Sequence, residues 1–509
     1  MKKFVVGIAT LGLVTTLALS AVAQVPPNKI IQPSCGIRDA VGNIFVQPSA
    51  CGETPIQADS LADSVGLNTH FAEAGDWSTY GGQLQSDLIS LGVRHIRDGW
   101  FSYGVGNVPG YASYYTALGA AGVKVDIVTW LDASGGVPIP GSTWTGEPAA
   151  DILYVNSVLG SAQEAYEAPN EQALYKDPNW LVSEPWFQNY LYTTVKGNAS
   201  TKNLPVFGPS PIGGNYGQVG NLSAYMDYGN MHNYMSPWFP GTTGWGPSHP
   251  TICNGFTFDY GSIDFNLGCN SVVSGTGTFT PSTALARFDY FTPASGSKPI
   301  MTTETGYGSD QTETPNQTLN VVDDVTQGKY LTRQFLLQYA AGVVRTYWYQ
   351  LADETTAPPG FYTRFGLVDN TGSVFKPSFY ALQGLISTLT DKGGSFTTTP
   401  LKYGFSAGAP STLAHMLFQK RDGTYVLAVW NETSSWNPNA GVSNGSGQFY
   451  GEPIVVPAQS ITVNLPYAPN GLSVKSFNDA GNFSTVTPTV SGNSVTLPVD
   501  DHVTFVSFH

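Results

Sequence analysis

From about Asp63 to Lys392, short apolar runs alternate with longer segments in which apolar residues recur at helical spacing. Eight of the short runs read as strands: Val65 to His70, Val93 to Arg97, Val123 to Thr129, Glu164 to Ala168, Leu204 to Gly208, Tyr228 to His232, Pro299 to Thr303 and Val343 to Tyr349. The segments between them include Leu84 to Leu91, Trp186 to Val195 and Tyr330 to Ala341, each with one apolar face. Alternation of this kind makes βα units around a parallel sheet. Eight units predict an α/β fold, a (β/α)8 TIM barrel, whose site lies at the C-terminal ends of the strands.

After Lys392 the texture changes. Strands alternate with Gly, Asn, Ser and Pro turns, as in HMLFQKRDGTYVLAVWNE, and helical windows are missing. The pattern predicts an accessory all-β sandwich over 393–509, either packed on the barrel and joined by strands from the N-terminal arm, or acting as a separate carbohydrate-binding module. At the other end, Met1-Lys2-Lys3, the apolar run Phe4 to Ser20 and the small residues Ala21-Val22-Ala23 read as a signal peptide over 1–23. The Pro-, Gly- and Ser-rich stretch 24–63 reads as an arm with little regular structure, which leaves 64–392 for the catalytic barrel. No second apolar run of roughly 20 residues follows, so no membrane span is expected in the mature chain, and secretion or periplasmic export is.

Cysteine usage fits export. Of three connectivities open to Cys35, Cys51, Cys253 and Cys269, pairing Cys35 with Cys51 and Cys253 with Cys269 staples two loops of equal length. No zinc-ligand spacing is present, so no metal is expected. The 509-residue chain has a net charge of −14 with 11% charged residues, which argues against nucleic acid as a partner, because so acidic a surface gains nothing from counterion release. Aromatics reach 13%, more than core packing ordinarily uses, and flat aromatic faces suit pyranose rings.

Two segments carry the chemistry. EAPNEQ ends the fourth strand with Asn170-Glu171-Gln172, and KPIMTTETGYG places Glu304 where the seventh gives way to a loop. Two carboxyls delivered from separate strand ends are what glycosidic cleavage needs. Glu354 and Asp353, beyond the eighth strand, compete for the second role. Glu167, four residues before Glu171, shares its face by strand alternation and reads either as a structural carboxylate near Arg97 or as a ligand of a substrate hydroxyl.

GVRHIRDG, EAPNEQ, MHNYMSPWFPG and KPIMTTETGYG, taken together, resemble the retaining (β/α)8 glycoside hydrolases of clan A over roughly Gly66 to Leu389, and the C-terminal sandwich resembles that of family 39, 30 and 79 members. The resemblance implies that Glu171 is the general acid/base and Glu304 the nucleophile of a double displacement, with no cofactor. It also implies that His232 or Tyr234, after the sixth strand, touches the nucleophile. Many members have Gly or a hydroxyl residue where this chain has Pro169.

The supporting positions follow from the strand ends. Asn170 is expected on the sugar 2-hydroxyl, and Arg97 as a bidentate hold on Glu304 or, alternatively, as a partner of Asp98 or Glu167. Trp348 is expected as the floor of the sugar site, with Asn68, His70, Trp130 and Tyr307 as further substrate contacts. The long connection from Asn233 to Thr280 is expected to wall the cleft. The resemblance implies a poly- or oligosaccharide substrate, and neutral sugars are favoured because Arg94, Arg97 and Arg364 do not clearly supply a cation for a uronic acid. Transfer to a second sugar shares all these residues with hydrolysis, whereas loss of either glutamate would favour a carbohydrate-binding barrel without catalysis, and both are present. Sugar identity, endo or exo action and oligomeric state are not encoded in any motif.

Overall fold

The structure is a computed structural model that describes residues 52–101, 103–131, 135–172, 178–211, 218–232, 292–309, 321–340, 342–355, 364–410, 412–437, 440–442, 451–479 and 481–509, together with the paired strands Thr257–Phe258 and Ile263–Asp264. The four cysteines and Tyr234 lie outside the described residues, as does most of the Asn233–Thr280 connection. Among the described residues no helix is long and apolar enough to cross a membrane.

Eight parallel strands form the barrel: β1 (Val65–Asn68), β2 (His95–Gly99), β3 (Lys124–Val128), β4 (Gln163–Glu167), β5 (Val206–Phe207), β6 (Gly229–His232), β7 (Ile300–Thr305) and β8 (Arg345–Trp348). They pair in cyclic order β5-β4-β3-β2-β1-β8-β7-β6. A parallel bridge from Phe207 to Tyr228, with Gly208 N donating to Tyr228 O at 2.8 Å, closes β5 onto β6. The fold is the expected TIM barrel with an accessory sandwich.

Outward-facing Val65, Leu67, Ile96, Val125, Ile127, Tyr166, Val206 and Met231 join the large core under the helices. The inward face differs from the layers of branched aliphatics that usually fill such barrels. Apart from a small plug of Ala165, Phe207 and Met301, it carries buried polar and charged residues, among them Asn68, Arg97, Asp126, Glu167, Asn230, Thr303 and Glu304.

Two irregularities shape that face. Between β3 and β4 the register steps from Val125–Gln163 to Asp126–Ala165, so Glu164 is an extra residue. Glu164 and Glu167, an odd number of residues apart, thereby both reach inward: Glu164 Oε2 to His95 at 2.7 Å and Arg345 at 3.1 Å, Glu167 to Arg97. In β7 the register against β6 steps from Thr302–Met231 to Glu304–His232, which makes Thr303 the extra residue. Bulges of this kind re-aim side chains beside active sites. Contrary to the sequence expectation, β7 runs on to Thr305, and Glu304 sits within the strand at the bulge.

The sandwich has a six-stranded sheet that includes Leu413–Gln419, Tyr425–Asn431, Ser473–Phe477 and Thr504–Phe508, and a four-stranded sheet that includes Gln459–Asn464 and Ser494–Val499. Leu413 and Leu417 face the second sheet, whereas Ala414, Met416 and Phe418 face the barrel, so this strand is buried on both sides. That accounts for its nearly unbroken apolar run. The arm is more ordered than expected from Glu53 onward. Ile56–Gln57 adds a parallel strand beside Phe418–Gln419, and Ala58–Ala62 is helical. The helix α1 (Asp324–Ala340) is wedged between barrel and sandwich and is buried nearly all round.

Candidate active site

The site begins with Arg97 near the end of β2, 5% exposed. All five of its N–H groups have acceptors. Nε donates to Glu167 at 3.0 Å, Nη2 to Glu167 Oε1 and to Asn170 Oδ1 at 2.7 Å each, and Nη1 to Asn68 Oδ1 at 3.0 Å and Glu304 Oε1 at 2.6 Å. The bidentate fork therefore grips Glu167, and Glu304 receives one short charged hydrogen bond, which differs from the expected double hold on Glu304. Arg97 thus ties the ends of β1, β2, β4 and β7 together. The negative charge of Glu167 and Glu304 outweighs burial and holds the guanidinium proton more tightly than usual.

Glu171 lies past the end of β4, where Asn170 still bridges to Ser210. Its φ of 45° makes it the single non-glycine residue with positive φ among those described. Residues held in this region cluster at functional sites. Glu171 Oε1 is 2.6 Å from His232 Nδ1, and Glu304 Oε2 is 3.6 Å from the same nitrogen. Oxygens of the two glutamates and a His232 nitrogen all lie within 4.8 Å of one another. Such a donor set also suits a cation, but the Arg97 guanidinium already stands 2.6 Å from Glu304 there. Two carboxyls this close match the spacing of about 5 to 5.5 Å used for double displacement, not the wider gap that admits a water between them.

The electrostatics separate the two carboxyls. Burial, and then the charge of Glu304, raise the Glu171 pKa above the ordinary carboxyl value, against the opposing pull of His232 and Arg97. His232 is raised as well, because Glu304 and Glu171 outweigh its desolvation. Its Nε2 is 3.0 Å from Thr303 Oγ1, and that hydroxyl donates to Asn230 Oδ1 at 2.6 Å. The network therefore assigns a hydrogen to Nε2, which leaves the Nδ1–Glu171 contact to share one proton.

The remaining expected residues divide clearly. Asn170 has its oxygen held by Arg97, so its amide nitrogen is oriented as a donor. Asn68 is corrected: 1% exposed, it donates to Thr303 O at 3.0 Å and accepts from Arg97, and both ends are taken by protein. Trp348 and Tyr307 are also corrected as sugar contacts, since both are fully buried and pack on one another with centroids 6.2 Å apart. Tyr349, which the sequence reading passed over, is the partly exposed aromatic at that strand end, set edge-on to His70 at 5.5 Å. His70 lies 3.2 Å from both Glu73 and Glu354, and these carboxylates outweigh its burial to raise its pKa to about 9. Trp130 is half-buried and stacked on Phe101 at 5.1 Å. Asp353 pairs with Lys376 at 2.6 Å.

Asn230 and Thr303 went unnoticed in the sequence. Asn230 had a signal, standing two residues before His232 on one strand face. Thr303 had none, because alternation places it opposite to its neighbour until the bulge is seen.

No protein-family model matches the chain, and no curated protein is similar to it in sequence. Among solved structures it is similar to a family 39 glycoside hydrolase from Bacteroides cellulosilyticus WH2, with 16% identity and a TM-score of 0.53 over 91% of this chain and 84% of that one. A glucosidase from Croceicoccus marinus has 12% identity and a TM-score of 0.54, over 90% and 97% of the two chains. A monomeric β-xylosidase from Caulobacter crescentus CB15 has 15% identity and a TM-score of 0.52, again over 90% and 97%. The barrel-and-sandwich fold of this chain is the fold of those glycoside hydrolases.

Proposed function

We propose that the protein is a retaining glycoside hydrolase that acts on a poly- or oligosaccharide of neutral sugars after export from the cell. The observation that carries this reading is the Glu171–Glu304 pair: a half-buried carboxyl just past β4 and a buried one at the end of β7, with oxygens within 4.8 Å, in unlike environments. Glu304 is held ionised by Arg97 and attacks the anomeric carbon. Glu171, its proton affinity raised by burial and by Glu304, protonates the leaving oxygen. Once Glu304 is consumed in the glycosyl ester its charge is gone, the proton affinity of Glu171 falls, and Glu171 takes a proton from the water that releases the sugar. The Asn170 amide nitrogen is positioned to donate to a sugar hydroxyl as charge develops.

The fold shared with family 39 and other glycoside hydrolases supports the same reading. The test is a screen of the purified protein and its Glu304→Gln form against aryl β-glycosides and plant, fungal and bacterial polysaccharides. Turnover is expected in the parent protein and a loss of about 10³-fold or more in the variant. Azide is expected to restore turnover in Glu304→Ala, with inverted product. Equal activity in parent and Glu304→Gln overturns the nucleophile assignment.

A further inference from the structure

Beneath the glutamate pair lies a carboxyl that the mechanism above leaves unused. Asp126 is the central residue of β3, is 0% exposed, and stands in register with Arg97 on β2. Neither of its oxygens meets a hydrogen-bond donor. Its cationic neighbour cannot supply one, because every Arg97 N–H goes to Glu167, Asn68, Asn170 or Glu304. An ionised carboxylate without a donor in a wholly buried layer is among the least tolerable arrangements in a protein. A protonated carboxyl in the same place is a donor itself, and Glu167 is the acceptor beside it.

We propose that Asp126 keeps its proton throughout the working range and donates it to Glu167, as a positioning residue that sets the charge under the nucleophile. Arg97 and Glu167 then cancel, Asp126 adds nothing, and Glu304 carries the net charge of the layer. Were Asp126 ionised, the three carboxylates around one guanidinium would raise the proton affinity of Glu304 and lower the fraction available for attack. The other titratable groups facing Asp126 act the same way: burial, Glu167 and Glu164 favour its proton, and Arg97 alone opposes. Tyr347 on β8 is neutral in this range, its own proton held by burial and by Glu164. The protonation stands on the full burial of Asp126 and the lack of a donor to either oxygen, with the charges of Glu167 and Glu164 in support, whereas its effect on the nucleophile rests on the glycosidase reading.

Isotope-edited infrared spectroscopy of protein labelled with carboxyl-¹³C aspartate separates the two. At pH 9, where Asp98 and Asp353, with pKa values of about 6, are ionised, one labelled protonated-carboxyl band is expected, absent from Asp126→Asn. If every aspartate of the parent protein is ionised at pH 9, the proposal is overturned without any variant. On a substrate found in the screen, Asp126→Ala is expected to lower kcat/KM about tenfold by loosening the grip of Glu167 on Arg97. Asp126→Asn, which still donates to Glu167, is expected to recover most of that loss with the acid limb of the pH profile unmoved. A downward shift of that limb by about one unit in Asp126→Asn shows instead that a negative charge was removed, and overturns the proposal. A band that is present while no glycoside is turned over leaves the protonation intact and refutes the catalytic reading.

Discussion

Thr303 and Glu304 are consecutive residues of one strand, yet both side chains reach the same imidazole: Thr303 Oγ1 lies 3.0 Å from His232 Nε2 and Glu304 Oε2 lies 3.6 Å from His232 Nδ1. The β7 bulge makes this possible, and it links Glu304 to the orientation of the ring beside Glu171. Thr303→Val keeps the shape and removes the hydroxyl that receives Nε2–H and donates to Asn230. With both partners buried and unpaired, stability is expected to fall by about 1 to 3 kcal/mol. A fall in kcat/KM of about 10- to 100-fold should accompany it as the ring loses its orientation. Thr303→Ser should behave nearly as the parent. Full activity in the valine variant would separate ring orientation from catalysis.

The His232–Glu171 pair makes the pH profile a direct probe of the site. His232 pulls the Glu171 pKa down, against burial and Glu304. Removing the ring leaves Arg97 alone to oppose burial and Glu304, so Glu171 should hold its proton to higher pH. Glu304 also loses a cationic neighbour and should be protonated at higher pH than before. Both limbs of the kcat/KM profile of His232→Ala are therefore expected to move upward together, with a lower maximum. An alkaline limb that moves downward would mean that His232, not Glu171, is the group whose proton is needed.

The glutamate pair, the barrel and the sandwich were legible in the sequence, because each rests on a periodic pattern or on a strand-end motif. What stayed hidden depends on register and on partners. The two bulges reverse the alternation that a reader would apply to Glu164 and Thr303. The fork of Arg97 goes to Glu167 because Glu167, inside the barrel at 0% exposure, needs a bidentate cation more than Glu304 does at 7%. Trp348 is expected under the sugar because a Trp in the eighth strand fits the clan resemblance, but it points to the helix layer, where it meets Phe335 and Tyr307. Asp126 offered the sequence reader only an acid in the apolar run KVDIV, a signal that becomes informative once its neighbours are known.

His70 ties stability to pH in a window of its own. Its pKa rises from 6.5 to about 9 in the folded protein through Glu73 and Glu354, so folding takes up a proton there. A group raised in this way stabilises fully below its unfolded value and loses that contribution as pH climbs through the folded one. The difference in melting temperature between the parent and His70→Gln is therefore expected to be largest at pH 6 and to disappear by pH 9.5. A difference that grows with pH has the wrong sign and would show that His70 is neutral when folded.

The sandwich does more than sit beside the barrel, because Arg333 on α1 crosses the boundary. Its Nη1 donates to the Thr433 carbonyl at 2.9 Å and its Nη2 to Ser435 Oγ at 3.0 Å, and Nε lies 3.9 Å from Glu432, with both charged side chains fully buried. Ser435 Oγ passes the network to Asp501, which Lys329, one turn earlier on the helix, also contacts at 3.2 Å. Truncating Arg333 to Ala leaves Glu432 and the carbonyls of Asn431 and Thr433 without their cation, a loss of about 3 to 5 kcal/mol for a buried charge set. Lysine, with one compact ammonium in place of a planar fork, should recover only part of it. Denaturant unfolding of the two variants tests this, and a midpoint within error of the parent would mean that the apolar face of Ala414, Met416 and Phe418 alone holds the sandwich on the barrel.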